Sequence, residues 1–202
     1  MVSAALKLVD EVGVQAFSLR MLADVLESGT ATLYRHFASK DELMAYVVDR
    51  VLGEVHVTGQ EDFATWQDAI TAGAEAFYET LRRHLNVLPL LMAQVPVGPN
   101  GLANRERLIQ LLLGHGFPVE LAARAFTAIG HYVVGFAVQQ HGPGSAGPES
   151  GPQLLDFYRH LDPATYPATT SAAEELTTVP LEEEFRFGLR LIIKGLESGR
   201  DV

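Results

Sequence analysis

The chain has 202 residues, of which 48% are hydrophobic, with 25 Asp and Glu against 15 Lys and Arg and no cysteine. A chain of this length and composition can bury a sizeable core, which excludes a mainly disordered protein. The lack of cysteine excludes disulfides, thiolate nucleophiles and cysteine-based metal sites, and it indicates the cytoplasm as the compartment. The net charge of −10 argues against a general nucleic-acid coat but allows a local basic face.

The hydrophobic pattern is helical from end to end, so we expect an all-α fold. It predicts a first helix over residues 2–12, followed by Gly13 where positive φ is favoured. Acidic Asp10 and Glu11 replace the basic start that a signal peptide would have. The longest apolar stretch, 125–138, is shorter than the ~20 residues that a membrane span needs, so we expect no membrane association.

Three further helices are predicted before residue 53. Ser18 can cap a short second helix, and a break at 27–29 leads to a third helix over 30–36. Ser39 and Glu42 then form an S-x-x-E capping box that opens a long fourth helix. Three short helices therefore lead into a long one.

The composition changes after Gly53. Residues 1–53 carry 7 acidic and 5 basic side chains, and residues 54–202 carry 18 and 10. This change predicts a domain boundary between 53 and 54. Residues 142–151 hold eight Gly, Pro or Ser, which predicts a mobile loop. In the second domain, the pattern predicts a helix from Thr65 to Leu81 and a Leu-rich helix that ends at Gly114. It predicts three more helices, over 118–141, over 153–161 and from Leu181 to Gly199.

Residues 18–37 combine two short helices with a tight break. This is the geometry of a helix-turn-helix, in which the second helix enters the major groove of DNA. An ordinary helical corner has the same outline, so the residue types must decide between the two. The outer side of the third helix carries side chains suited to base edges and phosphates, with Lys40 just beyond it: Thr30, Thr32, Tyr34, Arg35 and His36.

The segment TATLYRHFASKDEL resembles the L-Y-x-H-F-x-x-K-x-x-L signature of the tetracycline-repressor (TetR) family of bacterial transcription regulators. The resemblance extends back through SLRMLADVL and covers the N-terminal domain. It implies base or groove contact for Thr30, Thr32 and Arg35, phosphate contact for Tyr34, His36 and Lys40, and a DNA-binding role for Ser18. An alternative for Tyr34 is an aromatic side chain at the edge of the core.

Two features depart from the family pattern. The family usually has Gly then Val at the turn, where this chain has Glu27 and Ser28. Many members also have a basic arm before the first helix, which does not occur here. The Glu27 carboxylate can repel phosphate and lower DNA affinity.

The C-terminal half carries a second resemblance. FTAIGHYVVGFAVQQHG and EEEFRFGLRLIIKGLE are similar to the two long helices of the tetracycline-type regulatory domain, which pack as a four-helix bundle across a homodimer. The resemblance predicts a homodimer through helices near 118–141 and 181–198. Each glycine inside a helix costs up to ~1 kcal/mol of helix stability. Four glycines in these two helices therefore indicate close approach of helix backbones across the dimer, or else glycines that are tolerated in the core of a monomer. They are Gly130, Gly135, Gly188 and Gly195.

The same resemblance implies an effector pocket in the second domain. Tetracycline-binding members use a His, an Asn and a Gln for the drug and a His plus a carboxylate for magnesium. The Asn, Gln and carboxylate positions hold Gly73, Leu108 and Gln139 here, so magnesium-bound tetracycline is not the expected effector. An apolar and aromatic lining with a few polar groups remains, although each member could be plain core: Trp66, Phe77, His84, Met92, Phe126 and His131.

These patterns predict a dimeric, ligand-responsive transcription regulator. We expect a repressor that binds double-stranded operator DNA and is released by a small, mostly apolar or aromatic molecule. No cofactor, metal site or catalytic residue is expected, because neither H-E-x-x-H nor G-x-S-x-G occurs. A helical small-molecule-binding module without DNA binding is the alternative favoured by the acidic balance, and a helical enzyme is a third.

Overall fold

The computed structural model describes residues 1–57, 63–93, 95–139 and 150–200, and the regular structure in these ranges is helical. The predicted all-α class is confirmed. Four helices, which we call the head, come first: α1 Val2–Ala16, α2 Leu19–Val25, α3 Thr30–Tyr34 and α4 Lys40–Leu52. The rest, which we call the body, comprises α5 Trp66–Arg83, a 3₁₀ turn Leu85–Val87, α6 Leu88–Ala93, α7 Pro99–Gly114, α8 Val119–Gln139, α9 Ser150–Arg159, α10 Pro167–Ser171, α11 Glu175–Thr178 and α12 Leu181–Arg200.

Side-chain caps fix the starts of two helices in the head. Ser18 caps α2, as its position in the sequence predicts. At the start of α4, the Ser39 hydroxyl accepts a hydrogen bond from the Glu42 amide at 3.0 Å. The Glu42 carboxylate in turn accepts one from the Ala38 amide. The Ser39 half of the predicted capping box is therefore present, while the Glu42 carboxylate bonds the amide one residue before the cap. Each such side-chain cap stabilises a helix by about 1 kcal/mol.

Two helix ends in the head differ slightly from the prediction. Gly13 has φ 78° and ψ 160°, which confirms the expected positive φ. It kinks α1 without ending it, and the helix resumes as far as Ala16. The third helix ends at Tyr34, because Arg35 already lies outside it as the closing residue.

The head buries the apolar stripes that its sequence predicts. Leu22 of α2, Leu33 of α3 and Leu43 of α4 are each at most 1% exposed. Helix α1 packs against α2, α4 and the 3₁₀ turn, while α4 also packs against α5, α6 and α7 of the body. Helices α1 and α4 therefore join the head to the body.

An aromatic cluster links α5, α8 and α12 in the body. The Phe185 ring stacks on Tyr78, with centroids 4.3 Å apart, and lies 5.5 Å from both Tyr132 and Phe136. The Tyr132 hydroxyl donates to the Phe185 carbonyl oxygen at 2.8 Å. Burial, with the Glu184 carboxylate adding to it, raises the pKa of Tyr132. The phenol therefore keeps its proton and remains a donor at neutral pH.

Helix α8 has 21 residues and is long and apolar enough to cross a membrane. The expectation from the 125–138 stretch underestimated this length. Core helices of soluble proteins meet the same criterion, so it is weak evidence for a span. In the described ranges, α8 packs against α5, α6, α7 and α12.

The region between α8 and α12 was only partly predicted. The predicted helix over 153–161 corresponds to α9, which begins earlier, at Ser150. Helices α10 and α11 were missed, because five and four residues are too short to show a helical period. The predicted mobile loop lies outside the described residues except for its last two positions, which belong to α9.

Candidate DNA-binding and effector sites

Helix α3 turns its polar side chains outward. Leu33 and Phe37 are buried and anchor the helix to the head. Tyr34 is 58% exposed, so it is not an aromatic at the core edge, and the alternative interpretation is wrong. Thr30, Arg35 and His36 of the predicted surface are also exposed, and Thr32 is partly buried.

Two of these side chains are held together. The Arg35 guanidinium donates from Nη2 to the Thr32 hydroxyl at 3.2 Å. The His36 ring lies beside the Phe37 ring, with centroids 6.4 Å apart. The outer side of α3, together with the two residues that follow it, thus presents a guanidinium, an imidazole, a phenol and hydroxyls. These groups can donate to base edges in the major groove and to phosphate oxygens.

Lys40 differs from the other DNA-binding candidates, because its ammonium group is used inside the head. It donates to the carbonyl oxygens of Phe17 at 2.8 Å and of Val14 at 3.3 Å. It also lies 5.4 Å from the centroid of the Phe17 ring. Lys40 therefore ties the start of α4 to the end of α1, a role that the sequence did not reveal.

Ser18 is likewise engaged in the head. Its hydroxyl oxygen accepts from the Met21 amide at 3.2 Å. A serine hydroxyl that accepts through oxygen still has its hydrogen to donate. Ser18 can therefore cap α2 and contact a phosphate at the same time.

The turn between α2 and α3 contains the departure from the family pattern. Glu27 is exposed and has φ 48°, the left-handed conformation that glycine adopts most easily. The Ser28 amide donates to the Ala23 carbonyl oxygen at 2.9 Å. The Ser28 hydroxyl oxygen is buried without a hydrogen-bond partner in the described part of the chain. This turn is therefore formed at some conformational cost.

Three of the six effector candidates lie in or beside the core of the body. Trp66 is buried, and its ring meets the Phe117 ring edge to face at 5.0 Å. Phe77 is partly buried against the core. The ring of Phe126, also partly buried, lies 5.4 Å from the guanidinium carbon of Arg105.

The other three candidates are exposed or bonded to polar groups. Met92 is 66% exposed. His131 is exposed on α8, where it borders a shallow depression with Arg124 and Thr127. His84 bonds carboxylates of the head and of the segment after α4. The structure therefore does not gather the six predicted residues around one space.

A cleft of about 280 Å³ lies where α4 meets α7. None of the six candidates lines it. Its polar groups are partly bonded to one another: the Asn104 amide nitrogen donates to the Leu52 carbonyl oxygen, and Arg107 donates to Asn104. The lining residues are Leu52, Gly53, Val55, His56, Val57, Asn100, Ala103, Asn104 and Arg107.

Asp49 is a polar residue that the sequence did not single out. Although buried in α4, its Oδ1 accepts from the backbone amides of Asn100 and Gly101, both at 3.0 Å. Its Oδ2 accepts from the Asn100 side chain at 2.9 Å. The carboxylate thus caps the start of α7 from another helix. Partners 51 and 52 positions away leave no local signal in the sequence.

The four helical glycines fall into two groups. A Cβ atom on Gly188 would overlap the Tyr132 hydroxyl group of the same chain. The close approach at Gly188 is therefore between α12 and α8 of one chain, which favours the monomer-core alternative for this glycine. A Cβ atom on Gly130, Gly135 or Gly195 would meet nothing within 4 Å. These three leave room for another backbone.

The sequence of the chain matches two family descriptions. Residues 1–47 match "Bacterial regulatory proteins, tetR family", and residues 58–199 match "Tetracyclin repressor-like, C-terminal domain". The chain belongs to the tetracycline-repressor family. It is therefore a DNA-binding transcriptional regulator of the ligand-responsive kind, with a helix-turn-helix in the head, and DNA binding is supported over the module that only binds small molecules.

Named relatives of this family resemble the chain over nearly its whole length. The HTH-type transcriptional repressor DrrR1 of Streptomyces coeruleorubidus is 29% identical, over 97% of this chain and 75% of that protein. The tetracycline repressor protein class G of Vibrio anguillarum is 28% identical, over 98% and 92%. The Streptomyces coelicolor TetR family protein ActR, in complex with actinorhodin, is 32% identical with a TM-score of 0.86, over 98% and 95%.

Proposed function

We propose that this TetR-family chain is a repressor that binds operator DNA as a homodimer and is released by a small, mostly apolar or aromatic molecule. The outer side of α3 carries the proposal, since Tyr34, Arg35 and His36 are exposed while Leu33 and Phe37 anchor the other side. No catalytic step is involved, and the compartment is the cytoplasm. We also propose the domain boundary between residues 53 and 54, just after Gly53, which caps the end of α4.

The DNA-binding residues divide by what their polar groups are free to do. Arg35 and its neighbour Thr32, with Thr30, contact base edges, where a good contact discriminates by about 1–3 kcal/mol. Tyr34 and His36 contact phosphates, and so does the hydroxyl hydrogen of Ser18. Lys40 keeps its donors on Phe17 and Val14, so it supports the junction of α1 and α4 and makes no phosphate contact of its own.

The effector binds in the body and acts on the position of α4. Trp66, Phe77 and Phe126 remain candidates for its apolar lining, while Met92 and His131 are exposed and His84 bonds two carboxylates. The ActR complex with actinorhodin supports a small-molecule ligand for this fold. Binding shifts the population toward a state in which α4 has moved, so the two copies of α3 no longer fit successive major grooves.

The DNA-binding part is tested by selecting binding sites from a random double-stranded pool. We expect enrichment of an inverted repeat, since a two-fold symmetric dimer places its recognition helices about one helical turn of DNA apart. Fluorescence anisotropy on the enriched site then compares the parent with Arg35→Ala. Lack of any enrichment, with the protein shown to be folded and dimeric, would overturn the proposal in favour of a module that only binds small molecules.

The effector part is tested with two probes of different chemistry. Titration calorimetry with tetracycline and Mg²⁺ should show no submicromolar binding, because Gly73, Leu108 and Gln139 cannot supply the polar partners that the chelate needs. The aromatic fluorophore anilinonaphthalene sulfonate, which carries one anionic group, should bind saturably, and Phe77→Asp should abolish its binding. Mass spectrometry of natively purified protein should identify the physiological ligand. Tight, magnesium-dependent tetracycline binding would contradict this part alone.

A further inference from the structure

The end of α4 and the start of α7 satisfy each other's backbone groups. The Asp49 carboxylate accepts from the backbone amides of Asn100 and Gly101, which are two of the first amides of α7. In return, the Asn100 side chain donates to the Asp49 carbonyl oxygen at 3.1 Å, and the Asn104 side chain donates to that of Leu52 at 2.9 Å. The ends of a helix leave such groups without partners inside the helix. We call this reciprocal arrangement of hydrogen bonds the α4–α7 cap.

Glycines let the two helix ends approach closely at the α4–α7 cap. A Cβ atom on Gly98 would overlap the Asp49 carboxyl group, and one on Gly53 would lie 2.9 Å from Cγ of Asn100. By contrast, a Cβ atom on Gly114, at the other end of α7, would meet nothing within 4 Å. Tightly packed contacts of this kind switch between discrete arrangements rather than deform gradually. The cap is therefore closed or open, with little room for an intermediate.

The burial of Asp49 favours the closed cap. Its side chain is buried in α4, and within the described ranges no cation lies at ion-pair distance from it. The Asn100 side chain and two amides at the positive end of the α7 dipole supply the donors instead. A buried carboxylate that loses its donors is strongly destabilised. Movement of α4 away from α7 is therefore opposed until another change offsets the loss.

The cap lies between the two functional parts of the chain. Helix α4 follows α3 through a short turn and packs against α1 in the head, while α7 packs against α5 and α8 in the body. In the described ranges, the side-chain hydrogen bonds that join α4 to the body are those of the cap. A change in the body can therefore reach α3 through this contact.

We propose that Asp49 and Asn100 are positioning residues for operator binding: the α4–α7 cap holds α4 in the orientation in which α3 fits DNA, and it opens when α4 moves on effector binding. The proposal rests on the proposed DNA-binding function. Because the closed cap belongs to the DNA-binding state, a variant that weakens it shifts the population toward the released state. Neither residue lies on the outer side of α3, so such variants act on operator affinity through α4.

Operator affinity is the first test, using the site enriched by selection. Asn100→Ala removes the side-chain amide that bonds Asp49, at an exposed position, and keeps the backbone amides of α7. We expect it to weaken operator binding about tenfold, within the 5–150-fold typical of coupled sites. Gln110→Ala is the matched control, since this exposed amide lies on the same helix and donates to Glu106 of α7 itself. Equal affinity in the two variants would overturn the proposal.

A disulfide in place of the cap tests the same contact by restoring it. A Cβ atom at Gly53 would lie 2.9 Å from Cγ of Asn100, and a disulfide places a Cβ atom about 3 Å from the far sulfur. The chain has no cysteine of its own, so Gly53→Cys with Asn100→Cys can form only this bond within one chain. The reduced protein should bind operator as weakly as Asn100→Ala does, and oxidation should restore the parental affinity. Equal affinity of the two redox states, or failure of the pair to oxidise, would overturn the proposal.

Spin labels give a readout that does not use DNA. Lys7 is exposed on α1, so a label on Lys7→Cys in each copy reports the separation of the two heads of the homodimer. The parent and Gln110→Ala should give the same narrow distribution of distances, and Asn100→Ala should give a wider distribution with a second maximum. Identical distributions in all three would overturn the positioning role. If selection enriches no DNA site, the proposed function fails, and the spin-label experiment still decides whether the cap positions the head.

Discussion

The head and the body of this regulator leave surfaces of opposite chemistry exposed. On the head, α3 buries its apolar side and exposes polar groups such as Tyr34, Arg35 and His36. On the body, α12 exposes Phe187 and Leu191, which are 58% and 56% accessible. A polar, hydrogen-bonding surface suits nucleic acid, whereas an exposed apolar helix face suits a second apolar face. One chain thus has separate surfaces for DNA and for a second copy of itself.

The two parts are also held together in different ways. The head relies mainly on contacts near in sequence, such as the cap between Ser39 and Glu42, with one longer link from Lys40 to Phe17. The body relies on contacts distant in sequence, such as the stack of Tyr78 on Phe185. The variants below test this difference, starting with the link between head and body.

Asp49→Ala should have the largest effect on stability. The change removes the carboxylate that caps α7 and leaves the buried amide of Gly101 and the part-buried amide of Asn100 without their acceptor. Unsatisfied buried donors cost about 1–3 kcal/mol each, so we expect a loss of about 3 kcal/mol. Urea unfolding of the dimer measures it. Asp41→Ala, at an exposed position in the first turn of the same helix, is the control, and an equal effect would contradict the capping role.

Gly188 and Gly195 distinguish packing inside one chain from packing between chains. Gly188→Ala should lower the free energy of unfolding by about 2 kcal/mol, because its Cβ atom would overlap the Tyr132 hydroxyl. Gly195→Leu meets open space within the chain, so the fold should persist while the dimer weakens. Thermal unfolding and sedimentation velocity provide the two measurements. An intact dimer with Gly195→Leu would place the interface elsewhere.

The sequence predicted the head better than the body for a physical reason. Helix caps, the positive φ of Gly13 and the apolar stripe of α2 depend on residues close together in sequence, so the local sequence predicts them. The roles of Asp49 and His84 come from partners 30 to 74 positions away, which composition and spacing do not reveal. His84 was predicted as an effector contact because its type and position alone cannot show that Asp10 reaches it.

Lys40 and Arg35 separate support of the head from contact with DNA. Lys40→Met removes the donor to Phe17 and Val14 and should cost about 1 kcal/mol of stability, with little change in the salt dependence of binding. Arg35→Ala should leave stability unchanged and alter the ranking of DNA sites by about 1–3 kcal/mol. Binding measured against salt concentration decides the role of Lys40. A flatter slope with Lys40→Met would restore the phosphate contact expected from the sequence.

The smallest effect is expected at Glu27, where backbone and charge can be separated. A φ of 48° destabilises the folded state by about 1–2 kcal/mol for a residue with a Cβ atom. Glycine avoids this cost but loses about 0.5–1 kcal/mol more conformational entropy on folding. Glu27→Gly should therefore stabilise the head by about 0.5 kcal/mol. It also removes a negative charge close to the proposed DNA surface, which should raise affinity at low salt.

Glu27→Gln completes the comparison, because it removes the charge and keeps the Cβ atom. We expect it to raise low-salt DNA affinity as much as Glu27→Gly does, without the gain in stability. Thermal unfolding and anisotropy titrations at two salt concentrations separate the two effects. If neither variant binds DNA more tightly at low salt, Glu27 lies too far from phosphate to affect binding. The departure from the family pattern at this turn would then affect only the conformational cost of the backbone. The acidic residue beside α3 would not lower DNA affinity.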